Sequence, residues 1–247
     1  MALVKEVLEV LNRLSPFELQ ESWDNSGLNV GSGNSEFSEI IACLEITLNI
    51  ALNAPQNALI ITHHPLIFKP LKTLNYEVYP GNILKILIQK NISVISMHTN
   101  FDKTHLNKHF ARALLGFDGL IEKGLMLVKE NANIEFDALL ERIKSSLGVG
   151  QLACVKSSPM IKDLAFVCGS GASMFSSLKA QSCLITGDVK YHDAMIAQSL
   201  GISLIDATHY YSERGFALIV AEILHSFDYL VTIENFKTPC KSFKGKR

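Results

Sequence analysis

The feature that most limits the fold of this chain is the alternation of strand-like apolar runs with helix-like segments. Short runs rich in isoleucine and valine fall at residues 39–46, 58–62, 92–97, 164–168, 183–186 and 202–206. Segments with apolar residues at helical spacing lie between them, at residues 82–90, 106–115, 136–147 and 189–200. Such alternation is typical of sheets covered on both faces. The sequence therefore predicts an α/β protein with largely parallel or mixed sheets.

The alternating pattern falls into two blocks. A chain of 247 residues is long enough for one large domain or two smaller ones. We expect an N-terminal α/β domain over residues 1–124 and a second α/β module over residues 125–247. No long linker rich in proline, glycine or serine separates the blocks, so we expect the two domains to be packed together.

Composition excludes several classes of protein. The 23 Lys and Arg nearly balance the 24 Asp and Glu, so the basic footprint of a dedicated nucleic-acid binder is missing. No stretch reaches the roughly 18 to 20 apolar residues of a membrane span, and charges interrupt the N-terminal apolar positions as in an amphipathic helix. The five cysteines are odd in number and form no CxxC pair. We therefore expect a reduced, cytoplasmic protein without a thiolate zinc site.

Histidines lie just beyond the ends of several predicted strands, where open α/β sheets bind ligands. His63 and His64 follow one strand, and Pro65 disfavours a helical conformation at His64. Neighbouring side chains on an extended backbone point to opposite sides, so this pair would reach two ions, or one ion and a supporting partner, more easily than one shared ion. Taken alone, the pair fits equally well one loop histidine and one hydrogen-bonded core histidine.

Two further strand ends offer a histidine with a carboxylate. His98 precedes Asp102, which taken alone is typical of a helix N-cap. His209 and Glu213 are four residues apart at a predicted helix start and share one helical face, as an ordinary surface pair also would.

Three strand ends each offer a histidine with a carboxylate or a second histidine. This repetition favours a metal site over separate roles as core histidine, helix cap and surface pair. Imidazole and carboxylate ligands suit divalent Zn, Fe, Mn, Co or Ni. Six donors exceed the three protein ligands that a catalytic zinc usually takes, which favours two ions sharing a bridging carboxylate. Paired ions about 3.5 to 4 Å apart can activate water and hold an oxyanion or phosphate. Metal-assisted hydrolysis is the chemistry that this donor set predicts.

Six motifs in order along the chain resemble the GTP cyclohydrolase 1 type 2 family, also called NIF-three-like dinuclear metal-centre proteins. They are ESWDNSGLNVG (21–31), ITHHPLIF (61–68), SMHTNFD (96–102), CGSGASMF (168–175), TGDVKYHDAMIA (186–197) and DATHYYSE (206–213). The resemblance implies two packed three-layer α/β domains and a toroidal homohexamer. It also implies two divalent metal ions per subunit, with the family's ligands falling on His63, His64, Asp102, His209 and Glu213. The C-terminal segment would then return His209 and Glu213 to a metal site shared with the N-terminal domain.

The sequence departs from the family pattern at four places. Tyr191 occupies the first position of the usual His-His pair, Thr208 replaces a glycine, and Glu45 stands where an aspartate is usual. The stretch KTHLN (103–107) lacks the expected glycine. None of these changes removes a ligand, but they bear on the shape of the substrate pocket.

Other polar positions have two interpretations each. Gly169 and Gly171 could cradle a phosphate or simply form a tight strand-to-helix turn. The lone Trp23, in a polar loop with Asp24 and Asn25, could stack on a base or fill a domain interface. Asp188, Lys190 and His192 could contact substrate or serve as surface and capping residues.

The functional hypothesis is a metal-dependent hydrolase of a nucleotide-like or phosphorylated small molecule. Asp102 or Glu213 would bridge the ions, and His98 or His192 would transfer protons, because an imidazole titrates near pH 6.5. The alternative is a non-enzymatic protein that binds, delivers or senses metal through the same ligands. The substrate and the metal are not specified by the sequence.

Overall fold

The computed structural model describes residues 2–234, which alternate between strands and helices. The strands are β1 (Gly27–Val30), β2 (Ile40–Cys43), β3 (Leu59–Thr62), β4 (Ser93–Ser96), β5 (Ile121–Lys123), β6 (Met126–Lys129), β7 (Ile134–Glu135), β8 (Ala153–Val155), β9 (Met160–Ile161), β10 (Asp163–Phe166), β11 (Ser182–Thr186), β12 (Ser203–Asp206) and β13 (Val231–Glu234). The α-helices are α1 (Val4–Leu14), α2 (Leu48–Asn53), α3 (Gly81–Gln89), α4 (Thr99–Phe101), α5 (Phe136–Leu147), α6 (Tyr191–Ser199), α7 (His209–Glu213) and α8 (Phe216–His225).

The described residues form two compact units. The first unit comprises the chain up to Arg13, Trp23–His98 and the described residues from Phe216 onward. The second comprises Leu14–Ser22 and Thr99–Gly215. These limits differ from the expected division at residue 124, because α8 and β13 return to the sheet of the first unit. The division into domains 1–124 and 125–247 stays a prediction.

The first unit contains a five-stranded mixed sheet in the order β1-β4-β3-β2-β13. Strands β2, β3, β4 and β13 run parallel, whereas β1 pairs antiparallel with β4. Every residue of β2, β3 and β4 is buried, which explains the apolar residues of these strands, although Thr62, Ser93 and Ser96 are buried polar residues at the strand ends. Thr62 at the end of β3 is in register with Ser96 at the end of β4. The loops that carry His63 and His98 therefore start at the same sheet edge.

The second unit contains a six-stranded mixed sheet in the order β5-β6-β10-β11-β12-β8, with β7 and β9 forming a small separate pair. The three central strands β10, β11 and β12 run parallel, and their partners β6 and β8 run antiparallel. Parallel central strands bring their carboxyl ends to one edge. The loops carrying Gly169, Asp188 and His209 follow those ends.

The α/β class with mixed sheets is confirmed, and so are several predicted elements. The amphipathic N-terminus forms α1, and the segment 136–147 forms α5, which ends at Gly148 with a left-handed φ of 71°. The segment 106–115 differs, because it lies largely in wider π-helical turns over Asp102–Leu106 and His109–Leu114. Such turns are common near functional sites, and Asp102 opens the first of them.

Within residues 2–234, no helix combines the length and the apolar character that crossing a bilayer demands. The cysteines of this part of the chain, Cys43, Cys154, Cys168 and Cys183, are free thiols. Cys240 lies outside the described residues.

Candidate metal centre

His63 is a fully buried histidine that directly follows β3. Its Nδ1 lies 2.8 Å from the backbone carbonyl oxygen of Met97. A carbonyl oxygen can only accept a hydrogen bond, so Nδ1 carries the proton and donates it. The lone pair of the neutral ring is then on Nε2, which is the tautomer that a metal ligand needs.

Two other histidines of the first unit are held in the same way by carboxylates. Nδ1 of His64 lies 2.5 Å from Oε1 of Glu45, and Nδ1 of His98 lies 2.7 Å from Oδ1 of Asp24. The side chain of Asp24 is fully buried. Because a carboxylate accepts a hydrogen bond from Nδ1, it fixes the orientation of each ring, and Nε2 is the atom that would bind a metal.

The three rings converge. One potential ligand atom from each of His63, His64 and His98 lies within 4.8 Å of the other two. The ring centroids of His63 and His64 are 4.8 Å apart. The chain bends after Thr62, so the extended backbone on which the expectation for this pair was based does not continue through it. That the two rings reach two ions, or one ion and a supporting partner, stays a prediction. The three imidazoles of the first unit therefore suit a divalent transition metal.

The second unit holds a matching donor pair on α7. Nε2 of His209 lies 3.0 Å from Oε2 of Glu213, and Nδ1 of the same ring lies 2.7 Å from Oδ2 of Asp188. The predicted placement of His209 and Glu213 on one helical face is confirmed. Glu213 is only 2% exposed, and a buried carboxylate is costly unless it is hydrogen-bonded, paired or bound to a metal. Asp188 gives this imidazole the same kind of support that Glu45 gives His64.

Asp102 is a second buried carboxylate of this unit, 5% exposed. Its Oδ1 accepts a hydrogen bond from Sγ of Cys168 at 3.1 Å. Burial, followed by the charges of Asp102 and Glu213, raises the pKa of the Cys168 thiol well above its ordinary value. Cys168 is therefore a neutral donor that orients Asp102. The sequence analysis missed this role, although the residue begins the motif CGSG.

Glycines make room for the carboxylate and imidazole of α7. A Cβ atom at Gly169 would overlap Oε1 of Glu213, and one at Gly187 would lie 2.5 Å from the backbone nitrogen of His209. Gly169 also has a left-handed φ of 63°. Of the two interpretations of the glycine loop, close packing in a tight turn is the one that these contacts support.

His192 lies in a different setting from the other predicted residues. It is exposed near the start of α6, where its ring contacts Tyr191 at a centroid distance of 5.6 Å. Among residues 2–234, His192 does not belong to any cluster of closely spaced metal-ligand atoms. Its role in proton transfer stays a prediction, as does that of His98.

The donor chemistry fits a divalent metal. In the first unit, His63, His64 and His98 would supply three imidazole Nε2 atoms. In the second unit, His209, Glu213 and Asp102 would supply one imidazole and two buried carboxylates. Among residues 2–234, the clusters of closely spaced metal-ligand atoms contain imidazoles and carboxylates and no cysteine.

An α/β fold that holds imidazoles and buried carboxylates at the ends of its strands defines a class of protein equipped to bind divalent metal. The chain belongs to the Duf34/NIF3 (NGG1p interacting factor 3) family, whose model matches residues 2–240. The family assignment made from the motifs is thereby confirmed.

Relatives and solved structures agree with this assignment. A Helicobacter pylori strain J99 protein named GTP cyclohydrolase 1 type 2 is 95% identical over 239 residues, which cover 97% of this chain and 98% of that protein. A Campylobacter jejuni protein named GTP cyclohydrolase 1 type 2 homolog is 43% identical and covers 97% of this chain and 99% of its own. Reduced HcgD from Methanocaldococcus jannaschii has a TM-score of 0.81 at 26% identity, covering 95% of this chain and 98% of that chain.

Proposed function

We propose that this protein binds two divalent metal ions per subunit and hydrolyses a nucleotide-like or phosphorylated small molecule. The ligands are His63, His64, Asp102, His209 and Glu213. The observation that carries the proposal is shared by four histidines, His63, His64, His98 and His209, each of which has Nδ1 within hydrogen-bonding distance of a backbone carbonyl or carboxylate oxygen that orients the ring. The name GTP cyclohydrolase 1 type 2, carried by the 95% identical relative, supports a nucleotide as the substrate.

The metal would supply a Lewis acid and lower the pKa of a water molecule so that it can act as a nucleophile. The chain's own residues hold the site and move protons. Cys168 hydrogen-bonds Oδ1 of Asp102, which orients the carboxylate. His98 can accept or donate a proton at Nε2 while Asp24 holds Nδ1. The same ring belongs to the three-histidine cluster, so His98 can also complete a metal shell.

Metal stoichiometry tests the proposal. Protein purified without an affinity tag should contain two divalent ions per subunit by elemental analysis, and the double variant His63→Ala/His64→Ala should lose them while keeping its circular dichroism spectrum. The control is His225→Ala, which removes a histidine from the end of α8. A single ion in the wild type, or full metal content in the double variant, would overturn the dinuclear site. Hydrolysis of GTP by the loaded protein should fall with the metal content.

The second candidate is a metal-binding, metal-delivery or regulatory protein without catalysis. The family description as an interacting factor favours it, and the donor set would serve it equally well. Rapid exchange of the ions with a chelator, together with no turnover of nucleotides or phosphate esters, would select this function. Tightly held ions with turnover would select the hydrolase.

We also propose a toroidal homohexamer in the cytoplasm, as the family resemblance and the cysteine usage imply. The expected mass in light scattering is six times the 27.3 kDa of one chain. A monomeric mass across micromolar concentrations would contradict the assembly.

A further inference from the structure

A cavity of about 450 Å³ lies in the first unit, formed by the loop and helix start that follow the two adjacent histidines. Its walls come from residues 65–81, and this volume is within the range of about 300 to 1,000 Å³ typical of small-molecule sites. The lining includes Phe68, Val78 and Tyr79 as apolar and aromatic surfaces. Lys69 and Lys72 are the charged residues among those that line it, so the described lining contains two cations and no carboxylate. We name this feature the 65–81 cavity.

The 65–81 cavity adjoins the three-histidine cluster. Pro65 lines the cavity and directly follows His64. The ring of Phe68, which also lines the cavity, lies 5.9 Å from the ring of His98 in an edge-to-face arrangement. Tyr79 is 63% exposed; partial desolvation and then the charge of Glu45 raise the pKa of its phenol, which places this cavity residue near the carboxylate that holds His64.

An exposed aromatic side chain extends this surface. Trp23 is 58% exposed, and its ring lies 6.0 Å from that of Phe68 and 6.2 Å from that of His98. Because more than half of the tryptophan side chain is exposed, part of its ring remains accessible to a planar ligand. Stacking of a nucleobase on an aromatic ring contributes about 1 to 3 kcal/mol in nucleic-acid binding.

We propose that the 65–81 cavity is the recognition site for a phosphorylated molecule that carries a planar ring, with Lys69 and Lys72 binding the phosphate and Phe68 and Trp23 contacting the ring. This inference rests on the proposed function, because it treats the neighbouring histidine cluster as the reaction site. Lysine binds phosphate as a compact charge with three donors. In this proposal the 65–81 cavity selects the molecule that would react at the neighbouring histidine cluster.

Trp23 provides a direct measurement, because it is the only tryptophan in the chain. Its fluorescence would be followed in the full-length protein during titration with GTP, with guanosine and with inorganic triphosphate. GTP should change the emission at the lowest concentration, since only GTP offers both the ring and the phosphates. Equal affinity for GTP and guanosine would overturn the role of the lysines.

Variants of Lys69 and Lys72 measure how much their charges contribute to GTP binding in the 65–81 cavity. Lys69→Ala/Lys72→Ala should weaken GTP binding by about tenfold or more, as expected for the loss of charge-assisted hydrogen bonds, and should change guanosine binding less than about twofold. Lys69→Arg/Lys72→Arg should restore most of the affinity. The matched control is Lys5→Ala, which removes a lysine of the same unit from α1. Unchanged GTP affinity in the double alanine variant would refute the proposal.

Metal content distinguishes failure of this inference from failure of the proposed function. The double lysine variant should retain the wild-type metal content by elemental analysis, because no proposed ligand is changed. A metal-free wild type would refute the proposed function alone, since GTP binding by Trp23 fluorescence does not depend on turnover. If the double lysine variant changed its mass in light scattering but kept its GTP affinity, residues 65–81 would serve contacts between copies of the chain. That result would overturn the inference.

Discussion

At the scale of single residues, the candidate site depends on partners that do not themselves have to touch a metal. Glu45, Asp24 and Asp188 each hold the Nδ1 atom of one histidine. Such partners set the tautomer and the orientation of the ring, and their loss commonly lowers metal affinity by about 10- to 100-fold. The carboxylate of Glu45 reaches His64 although the two residues are 19 positions apart in the sequence.

Glu45→Ala should therefore weaken divalent metal binding by about tenfold or more without removing a ligand. Glu45→Gln should lose less, because its amide oxygen can still accept the Nδ1 proton. Isothermal titration with Co²⁺ measures both, and Glu39→Ala, a carboxylate change just before β2, is the control. Equal affinity in wild type and Glu45→Ala would show that Glu45 does not support the metal ligand.

Thr208 carries backbone strain next to a proposed ligand. Its φ of 62° and ψ of 151° are unfavourable for a β-branched residue, and strain of this kind costs about 1 to 3 kcal/mol. Its hydroxyl oxygen also accepts a hydrogen bond from the backbone nitrogen of Tyr211.

Thr208→Gly should raise the free energy of unfolding by about 1 kcal/mol, because glycine relieves the strain and costs only a few tenths of a kcal/mol at an N-cap. Thr208→Ala should lower it, because alanine keeps the strained backbone and loses the cap. Urea denaturation of both variants checks the prediction. A lower stability for the glycine variant than for the alanine variant would contradict it.

At the scale of elements, short helices and strands depend on side-chain contacts from other parts of the same unit. Helix α2 has only six residues, and isolated helices of this length are not stable. Thr47 accepts a hydrogen bond from the nitrogen of Ile50 at its start. Nζ of Lys90 donates to the carbonyl oxygens of Leu52 and Ala54 at its end, at 2.5 and 2.7 Å.

Lys90→Met should lower the free energy of unfolding by about 1.5 to 3 kcal/mol, the usual contribution of hydrogen bonds to a charged group. The methionine keeps most of the aliphatic side chain, so the loss reports the ammonium group. Chemical denaturation measures the change, with Lys85→Met on α3 as the control. A loss no larger than that of the control would show that this contact does not stabilise α2.

Buried thiols provide another test at the scale of strands. Burial raises the pKa of Cys43 in β2 to about 12, and burial likewise raises the pKa of Cys183 in β11. A thiolate is needed for alkylation, so both should resist iodoacetamide in the native protein at pH 8. Cys154 is exposed on β8 and should react first among the described cysteines. Peptide mass mapping checks the order, and rapid native labelling of Cys43 would contradict it.

At the scale of the whole molecule, the chain order does not follow the compact units. Helix α8 and strand β13 come last among the described elements, yet β13 pairs in parallel with β2 in the first sheet. Phe216 at the start of α8 packs against His63 with a ring-centroid distance of 5.0 Å. The sheet that carries the three histidines therefore requires segments from both ends of the sequence.

A chain that ends at Gly215 should lose the structure of the first unit, although it retains His63, His64 and His98. Without α8 the unit loses buried apolar contacts, and without β13 the edge of β2 is exposed. Limited proteolysis should show new cleavage within residues 23–98, with the second unit as the internal reference. An unchanged cleavage pattern would contradict this prediction. The isolated segment 1–124, compared in parallel, tests the expected division at residue 124.

The local patterns of the sequence were sufficient for the class of fold and for the placement of the donors at strand ends. Buried parallel strands need continuous apolar runs, and helices need apolar residues at helical spacing, so both are visible without coordinates. The motifs likewise identified the family, because they occur in order along nearly the whole chain. Neighbouring residues largely dictate these features.

Contacts between distant residues depended on the tertiary structure. The pairing of β13 with β2 joins residues nearly 200 positions apart, and the support of His98 by Asp24 joins residues 74 apart. No local pattern specifies such pairs, because the packing of the whole sheet brings them together. Tertiary packing also brings the rings of His63 and His64 close together at a bend in the chain. It likewise places the thiol of Cys168 beside Asp102. The sequence therefore specifies which donor atoms are present, whereas packing decides their tautomers, partners and direction.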